Sequence, residues 1–332
     1  ACLDHTFTGK EVSCLVNPRA CHETLLTYTK VVEVKNIAVV GAGPAGLACA
    51  VTAAERVQNC TLFDRSYDIC GKFNMARIIQ GKEEFDETLR YFSKQLSRHH
   101  VTLTLGKIAT AEQLSGFDEI ILATGILPRK PDIEGIEHPK VVSYIDVLNK
   151  AVTIGNKVAL IGAGGIGFDV AEYLSHQGEP LTLNKASYAK EWGIDLSNNK
   201  RGGLGEQSIV PSPRDIYLLQ RKPTKVGKNL GKTTGWIHRS SLRNKKVHML
   251  ANVEYQRIDD QGLHIAVNSK KQLLAVDHIV LCAGQLPNKQ LLHQLEEYGF
   301  NKPVHIIGGA DLASELDAKR AINQAAWLAA EI

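Results

Sequence analysis

The sequence contains no Cys-x-x-Cys pair, which is the spacing of a redox-active dithiol. Its seven cysteines lie at positions 2, 14, 21, 49, 60, 70 and 282, and no two are three residues apart. This absence disfavours a dithiol enzyme. Charge of one sign is also scarce. The 39 basic and 35 acidic residues leave a net charge of +4, too small to indicate nucleic-acid binding.

A secretory signal is also missing, because no charged segment leads into an apolar core near the first residue. One uncharged stretch of 18 residues, 37–54, is long enough for a membrane span. It contains Gly41, Gly43, Pro44 and Gly46 in close order, however, so a strand, a tight turn and a buried helix explain it better. We expect a cytoplasmic protein without a membrane partner, since an odd number of cysteines suits a reducing compartment.

The length of 332 residues predicts two domains. Apolar residues make up 44%, charged residues 22% and aromatic residues 6%, which is ordinary for a globular protein. This composition excludes a disordered chain, a collagen and a small disulfide scaffold.

Two pairs of segments repeat along the chain and indicate that one structural unit occurs twice. Residues 35–43 (KNIAVVGAG) resemble 156–164 (NKVALIGAG), and residues 117–125 (FDEIILATG) resemble 276–284 (VDHIVLCAG). The first pair is 121 residues apart and the second 159, so the second copy holds 38 additional residues. We assign them to a polar surface excursion at residues 177–214. Short strands alternate with helical patterns in both copies, which predicts an α/β fold with parallel sheets.

The first glycine-rich turn contains Gly41, Gly43, Ala45 and Gly46 between a strand and a helix. The first glycine permits a tight turn, the second admits a pyrophosphate, and the third lets helix and strand pack closely. Phosphates then lie on free N–H groups at the helix start. Asp64 ends the next strand, 23 residues after Gly41, where a carboxylate binds ribose hydroxyls. We predict a dinucleotide site; the alternative is a glycine turn without a ligand.

The second glycine-rich turn contains Gly162, Gly164 and Gly167 in the same arrangement. Its next strand ends in Arg221 and Lys222 rather than in an acid. Two cations at this position favour a ribose 2′-phosphate, and hence an NADP-type cofactor. The alternative is a solvated basic strand end.

A third glycine-flanked segment, residues 231–236, precedes a helix predicted at residues 237–244. A cation-bearing helix start suits cofactor contact, and the alternative is a helix cap on Thr234. The residues that we assign to this contact are Trp236, Ile237, His238, Arg239 and Ser240.

The tail contains a strand, the pair Gly308-Gly309 and Asp311, followed by a helix predicted at residues 318–330. An acid at this point can bind the ribityl chain of a flavin. The alternative is a helix N-cap at Asp311 or Asp317. Two dinucleotide sites without a nucleophile motif suggest that hydride passes from a nicotinamide to a flavin.

These residues resemble the two-dinucleotide flavoprotein reductases. More closely, the chain resembles the C-terminal part of the bacterial NADPH-dependent 2,4-dienoyl-CoA reductases, in the old-yellow-enzyme-fused flavoprotein family. The motifs that carry the resemblance are residues 14–23, 81–85, 191–195, 231–239, 282–288, 308–311 and 315–318. The resemblance covers essentially the whole chain. It implies two Rossmann-like domains, with an NADP domain (151–285) inserted into an FAD domain (35–150 and 286–332) after an N-terminal arm (1–34).

Position by position, the resemblance implies a set of FAD contacts. One departure occurs at residues 69–72, where Lys72 replaces the glutamine of a Gly-Gly-Gln turn. The implied contacts are Gly41, Gly43, Ala45, Gly46, Asp64, Lys72, Lys82, Ala109, Gly309, Leu316, Asp317 and Ala318, and Arg221 with Lys222 match the 2′-phosphate pair.

The resemblance also implies cofactors and a partner beyond these residues. Family members carry an N-terminal barrel with FMN, then a 4Fe-4S cluster whose last two cysteines are separated by eleven residues. Cys2 and Cys14 have that separation and are the implied metal ligands. We therefore expect this chain to be the electron-input half of a longer enzyme. NADPH would reduce FAD, and electrons would reach FMN and a 2,4-dienoyl-CoA in the barrel, for β-oxidation. No catalytic residue is assigned in the chain itself.

Three other functions remain open at this stage. The chain could be the reductase module of another barrel-fused flavoprotein, such as an enoate reductase or an amine dehydrogenase. It could be the electron-input subunit of a glutamate synthase, or a non-enzymatic module that binds a nucleotide only to stabilise its fold.

Overall fold

The computed structural model describes residues 2–314 and 317–332, without the side chains of Cys2 and Asp4. The described helices are α1 (Cys2–Thr6), α2 (Pro44–Glu55), α3 (Phe73–Ala76), α4 (Phe85–Arg98), α5 (Ala111–Leu114), α6 (Tyr144–Leu148), α7 (Gly165–Ser175), α8 (Lys185–Trp192), α9 (Gly235–Asn244), α10 (Gln290–Glu297) and α11 (Ala318–Glu331). Three short 3₁₀ helices are Leu181–Leu183, Arg201–Gly203 and Gly308–Ala310. In the described part of the chain, no helix is both long and apolar enough to cross a membrane.

The strands alternate with these helices along most of the chain. They are β1 (Asn36–Val40), β2 (Asn59–Asp64), β3 (Thr102–Leu105), β4 (Glu119–Leu122), β5 (Ile126–Pro128), β6 (Val141–Ser143), β7 (Lys157–Ile161), β8 (Asp215–Leu219), β9 (His248–Leu250), β10 (Val253–Asp259), β11 (Gly262–Val267), β12 (Lys270–Leu274), β13 (His278–Leu281), β14 (Gln285–Pro287) and β15 (Val304–Ile306). The uncharged stretch 37–54 forms β1, a turn and α2, so the strand, turn and helix predicted for it are confirmed.

The first compact unit is built on a five-stranded parallel sheet in the order β15-β4-β1-β2-β3. Strand β1 is central, and four of its five residues are buried. A strand that is covered on both faces reads as a continuous apolar run, as β1 does. Helices α2 and α11 pack together on this sheet through small side chains, among them Ala48 and Ala325, so their backbones approach closely.

The second compact unit repeats this arrangement with the order β6-β13-β7-β8-β9, and β7 takes the place of β1. Its core gathers apolar residues of α6, α7 and the sheet, with Phe168 among its largest fully buried side chains. An antiparallel sheet of β10, β11 and β12 is added between β9 and β13. The two matching sheets confirm the α/β fold with parallel sheets and the internal repeat.

The compact units begin to differ from the expected domains before residue 150, whereas the boundary after Gly284 lies within one residue of the expected one. The first unit contains residues up to 74, 84–127 and 285–332, and the second contains residues 75–83 and 128–284. Residues 128–150 therefore belong to the second unit, because β6 pairs with β13 through Val141 and Ile279. Residues 75–83 also belong there, because Ile79 is fully buried in the core of the second sheet.

Candidate dinucleotide-binding sites

The first glycine-rich turn joins β1 to α2, and its three glycines occupy different environments. Gly41 has a φ of 113°, and a Cβ atom there would lie 2.2 Å from the carbonyl oxygen of Ala123. At Gly46, a Cβ atom would lie 1.8 Å from the carbonyl oxygen of Gly41. At Gly43 it would meet no atom within 4 Å. The outer glycines thus close the turn, and the middle one leaves space where a pyrophosphate can approach the backbone.

Asp64 lies against this turn, as the spacing predicts. Its Oδ2 atom accepts a hydrogen bond from the Ala42 N–H at 2.6 Å, and its Oδ1 atom accepts one from the Ser66 N–H at 2.7 Å. These bonds fix the carboxylate at the end of β2, beside the N-terminus of α2. A carboxylate placed there can accept hydrogen bonds from ribose hydroxyls.

The segment before α3 lies over the same turn. The Cys70 N–H donates to the Ala42 carbonyl at 2.7 Å, and a Cβ atom on Gly71 would lie 3.5 Å from the Cα atom of Gly43. The Nζ atom of Lys72 donates to the Ile126 carbonyl at 2.7 Å. Burial, with a smaller contribution from the charge of Arg65, lowers the pKa of Lys72 to about 8. Gly71, which precedes Lys72, therefore lies close to Gly43 of the first turn.

The tail of the chain also reaches the first turn. Gly308 has a φ of 64°, and a Cβ atom on it would lie 2.8 Å from the Cβ atom of Ala45. Gly309 is buried one residue further along the same 3₁₀ helix. Asp311 is exposed, and its Oδ2 atom accepts a hydrogen bond from the Gln324 side chain at 2.7 Å. The sequence analysis missed Gly308 as part of this site, although the Gly-Gly pair was a signal for it.

The remaining predicted FAD contacts have diverse positions. Asp317 is the N-cap of α11, because its carboxylate accepts a hydrogen bond from the Arg320 N–H at 2.7 Å. Of the two N-cap candidates, Asp311 and Asp317, the structure therefore selects Asp317. Ala318 is the first residue of the helix. Ala109 is buried in the loop that follows β3. Leu316 lies outside the described residues.

Lys82 remains a predicted FAD contact. It lies in the second unit, where its Nζ atom is 2.6 Å from the Oδ1 atom of Asp169 on α7. Both side chains are about three-quarters buried, with exposed fractions of 25% and 21%. Sequence reasoning missed Asp169. The only indication in the sequence was an acidic residue one helical turn into the predicted helix after the second glycine-rich turn.

The second glycine-rich turn joins β7 to α7, and its glycines make the same close approaches as those of the first turn. Gly162 has a φ of 112°, and a Cβ atom there would lie 2.5 Å from the carbonyl oxygen of Cys282. A Cβ atom on Gly167 would lie 1.9 Å from the carbonyl oxygen of Gly162, whereas a Cβ atom on Gly164 would meet no atom within 4 Å. Gly164 is thus open like Gly43, and so is the adjacent Gly165.

The end of β8 presents the two predicted cations to solvent. Arg221 and Lys222 are exposed. The Gln220 side chain closes the turn that contains them, because its Nε2 atom donates to the carbonyls of Lys222 at 3.0 Å and Thr224 at 2.7 Å. Burial raises the pKa of the Tyr255 phenol, and the positive charge of Arg221 has a smaller effect in the opposite direction. The end of β8 therefore offers cations where the end of β2 offers Asp64.

Helix α9 begins at Gly235, two residues earlier than predicted, and its N-cap Thr234 makes no side-chain capping bond. Trp236 is 55% exposed, and Ile237 and Ser240 are partly buried. The Nη1 atom of Arg239 donates to the Gly227 carbonyl at 2.9 Å. The Thr234 cap considered from the sequence is thus absent, and α9 starts with an exposed aromatic side chain.

The residues present do not by themselves fit an iron–sulfur cluster, which takes four cysteine ligands. Cys14 is half-buried, and Cys2 belongs to α1 with its side chain outside the described part. Within that part, no three side chains of the types His, Cys, Asp and Glu gather into a metal site.

The sequence profile of the pyridine nucleotide-disulphide oxidoreductases matches residues 35–303. The chain is 27% identical over 322 residues to the metal reductase of Desulforamulus reducens, covering 93% of this chain and 46% of that protein. It is 26% identical over 335 residues to the cinnamate reductase of Clostridium sporogenes, covering 100% and 44%. The solved structure of a 2-naphthoyl-CoA reductase in complex with 2-naphthoyl-CoA has a TM-score of 0.84 at 24% identity, covering 100% and 45%.

The chain therefore spans slightly less than half the length of these proteins. The profile match covers most of the chain, including both glycine-rich turns, the whole second parallel sheet and the first parallel sheet except β15. On this match, the chain belongs to the pyridine nucleotide-disulphide oxidoreductase family, whose members bind two dinucleotides.

Proposed function

We propose that this chain is an NADPH-dependent electron-input module that binds FAD at the first glycine-rich turn and NADPH at the second. One observation carries the proposal. The two turns have the same open central glycine, but Asp64 follows the first and Arg221 with Lys222 follow the second. When bound, the two dinucleotides supply hydride transfer from nicotinamide to flavin, and the protein supplies binding and orientation.

At the first site, the geometry suits an FAD molecule without a 2′-phosphate. The open face of Gly43 and the N-terminus of α2 receive the diphosphate, and the carboxylate of Asp64 accepts hydrogen bonds from the adenosine ribose. Gly71, the residue before Lys72, lies close to Gly43, so the ammonium of Lys72 would add positive charge near the diphosphate. Gly308 and Gly309 keep the tail close to the turn, where the ribityl chain would lie.

At the second site, the geometry suits a dinucleotide with a 2′-phosphate. Gly164 and the start of α7 receive the diphosphate. The guanidinium of Arg221 can bind a phosphate through two parallel hydrogen bonds, and Lys222 contributes a second positive charge. An acid in place of these cations would repel the same phosphate. We therefore assign NADPH rather than NADH.

We further propose that the electrons pass to an FMN-containing barrel, and from there to a conjugated acyl-CoA such as a 2,4-dienoyl-CoA. The resemblance in the motifs supports this assignment. It is also supported by relatives of about twice the length, two of which are named for reducing cinnamate and 2-naphthoyl-CoA. Cys2 and Cys14 would provide two of the four ligands of a cluster between the flavins. A substrate outside the acyl-CoA class, such as a free enoate, is the second candidate, favoured by the name cinnamate reductase.

The test uses the FAD-loaded chain and follows bleaching of the flavin spectrum by NADPH and by NADH. We expect the double variant Arg221→Ala/Lys222→Ala to bind NADPH about 10- to 100-fold more weakly, because each lost charge-assisted bond costs about 1.5–3 kcal/mol before solvent screening. Its affinity for NADH stays unchanged. The control is Lys270→Ala/Lys271→Ala, which removes two exposed cations from β12. Equal losses for both nucleotides would contradict the assignment of the 2′-phosphate.

The acceptor is tested separately with the same sample. We expect NADPH-dependent reduction of an artificial electron acceptor and no reduction of a 2,4-dienoyl-CoA. Turnover of the acyl-CoA by these 332 residues alone would show that the substrate site is in this chain and not in a barrel.

A further inference from the structure

Glu172 is a buried carboxylate that none of the roles above uses. It lies on α7, two turns beyond the second glycine-rich turn, and only 5% of its surface is exposed. Burial of a carboxylate is costly unless hydrogen bonds and opposite charges compensate for the lost hydration. The partners that Glu172 engages therefore indicate its purpose.

Two of these partners lie in the first two turns of α9. The Ser241 hydroxyl donates to the Oε2 atom of Glu172 at 3.0 Å. The Nδ1 atom of His238 lies 3.7 Å from the Oε1 atom. His238 and Ser241 are one turn apart, so a single carboxylate holds one face of the helix where the predicted nucleotide contacts are located.

The start of α9 is also tied to the start of α7 by its preceding loop. Arg239 donates to the carbonyl of Gly227, and Gly227 has a φ of 72°. A Cβ atom on Gly227 would lie 2.6 Å from the ring of Phe168. The start of α9 is therefore attached to α7 at two points, through the loop at Phe168 and through the carboxylate of Glu172.

A second histidine occupies the other side of Glu172. His176 directs its Nδ1 atom to the carbonyl oxygen of Glu172 at 2.8 Å, and this atom is 3.7 Å from the carboxylate Oε2. Its Nε2 atom is 3.1 Å from the Gln80 amide nitrogen, while the Gln80 oxygen accepts from the Leu181 N–H at 3.3 Å. This pattern assigns the proton of a neutral His176 to Nδ1 and makes Nε2 the acceptor. His176 is thus committed to Gln80 and to the backbone, so His238 is the imidazole that Glu172 can orient.

We propose that Glu172 is a positioning residue that holds the first two turns of α9, through His238 and Ser241, in the conformation that binds the nicotinamide dinucleotide. This inference rests on the proposed function, since it concerns the same second site. Glu172 does not touch the nucleotide itself in this scheme. It acts through His238 and through the direction of the helix.

The experiment measures the dissociation constant of NADP⁺ by calorimetry on the FAD-loaded chain. We expect Glu172→Gln to weaken NADP⁺ binding by about 5- to 30-fold, the range for loss of one or two hydrogen-bonded contacts. The control is Glu191→Gln, which alters a second buried carboxylate in this unit, paired with Lys245. The control variant is expected to lower the melting temperature and to leave the dissociation constant unchanged.

A double-mutant cycle separates positioning from general loss of stability. If Glu172 acts through His238, the effects of Glu172→Gln and His238→Ala on NADP⁺ affinity are not additive, and the double variant binds about as weakly as the weaker single variant. Ser241→Ala provides a milder test, because it removes one bond and leaves the buried carboxylate intact.

Two results would overturn the inference. One is that the folded Glu172→Gln variant binds NADP⁺ as tightly as the unaltered chain. If that variant does not fold, the same result for Ser241→Ala would count instead. The other is full additivity with His238→Ala. If the unaltered chain binds neither NADP⁺ nor NADPH, the proposed function itself fails, and this outcome is distinct from a failure confined to the variants.

Discussion

At the residue scale, glycines that look alike in the sequence perform different tasks in the turns. Gly41 and Gly46 allow close approach of backbone atoms, whereas Gly43 leaves an open face. The backbone of Gly43, with φ −76° and ψ 179°, is one that any residue can adopt. A substitution therefore separates folding from ligand binding.

We expect Gly43→Ala to fold normally and to bind FAD more weakly, because the added methyl group occupies the face that receives the diphosphate. Gly46→Ala places a Cβ atom 1.8 Å from the Gly41 carbonyl oxygen, and we expect it to destabilise the fold by at least about 2 kcal/mol. Melting temperature and FAD occupancy on purification report the two effects. Gly164→Ala and Gly167→Ala form the matching pair for NADP⁺. A similar loss of stability in both members of a pair would contradict the division of tasks.

A second prediction at this scale concerns Lys72. Because burial lowers the pKa of its amine to about 8, raising the pH through this value converts the ammonium into a nucleophilic amine. We expect acylation of Lys72 in FAD-free protein to rise with a midpoint near pH 8, measured by peptide mass spectrometry. FAD protects the amine, since a diphosphate beside it favours the charged form. The exposed Lys94 on α4 serves as the control that FAD leaves unprotected. No protection by FAD would remove Lys72 from the site.

At the scale of elements, the second copy of the repeat has two features that the first lacks, the antiparallel sheet of β10 to β12 and the excursion at residues 177–214. The excursion contains α8 and two short 3₁₀ helices, and it exposes Leu183, Leu196 and Leu204. One buried ion pair anchors it, between Glu191 on α8 and Lys245 at the end of α9, at 3.0 Å. The Lys245 ammonium also donates to the Val210 carbonyl at 2.7 Å. Other hydrogen bonds attach the excursion elsewhere, among them those from the Leu181 N–H to the Gln80 side chain at 3.3 Å and from the Arg214 side chain to the Leu174 carbonyl at 3.1 Å.

We expect Glu191→Ala to destabilise the second unit by about 3–5 kcal/mol, because it leaves the ammonium of Lys245 buried without its carboxylate. The excursion should then become the first site of cleavage in limited proteolysis. Lys245→Met, which removes the charge but keeps the volume, should cost less. Equal stability of Glu191→Ala and the unaltered chain would show that this pair does not anchor the excursion.

The bounds of the elements show where sequence reasoning stops. Helices α2 and α7 begin at Pro44 and Gly165, directly after the middle glycine of each turn. The third glycine of each turn, Gly46 or Gly167, therefore lies in the first helical turn. Its missing side chain is needed there for packing against the strand, and this tertiary demand overrides its low helix propensity.

At the scale of the whole molecule, the chain consists of two compact units, each with its own sheet and its own glycine-rich turn. A ligand that binds only the folded form of a unit stabilises that unit by about 2.7 kcal/mol at a hundredfold excess over its dissociation constant. We therefore expect two calorimetric transitions, with FAD raising one and NADP⁺ the other. Arg221→Ala should reduce the shift caused by NADP⁺ and leave the shift caused by FAD unchanged. A single transition that both ligands raise equally would indicate that the units unfold together.

The sequence by itself determined the repeat, the two turns and the contrast between Asp64 and Arg221, because these depend on local spacing and on the backbone demands of glycine. Only the tertiary structure decided that residues 75–83 join the second unit, that Lys82 pairs with Asp169, and that Glu172 holds the start of α9. These partners are separated by about 70 to 90 residues. Their contacts arise from the packing of whole elements, which no local pattern encodes.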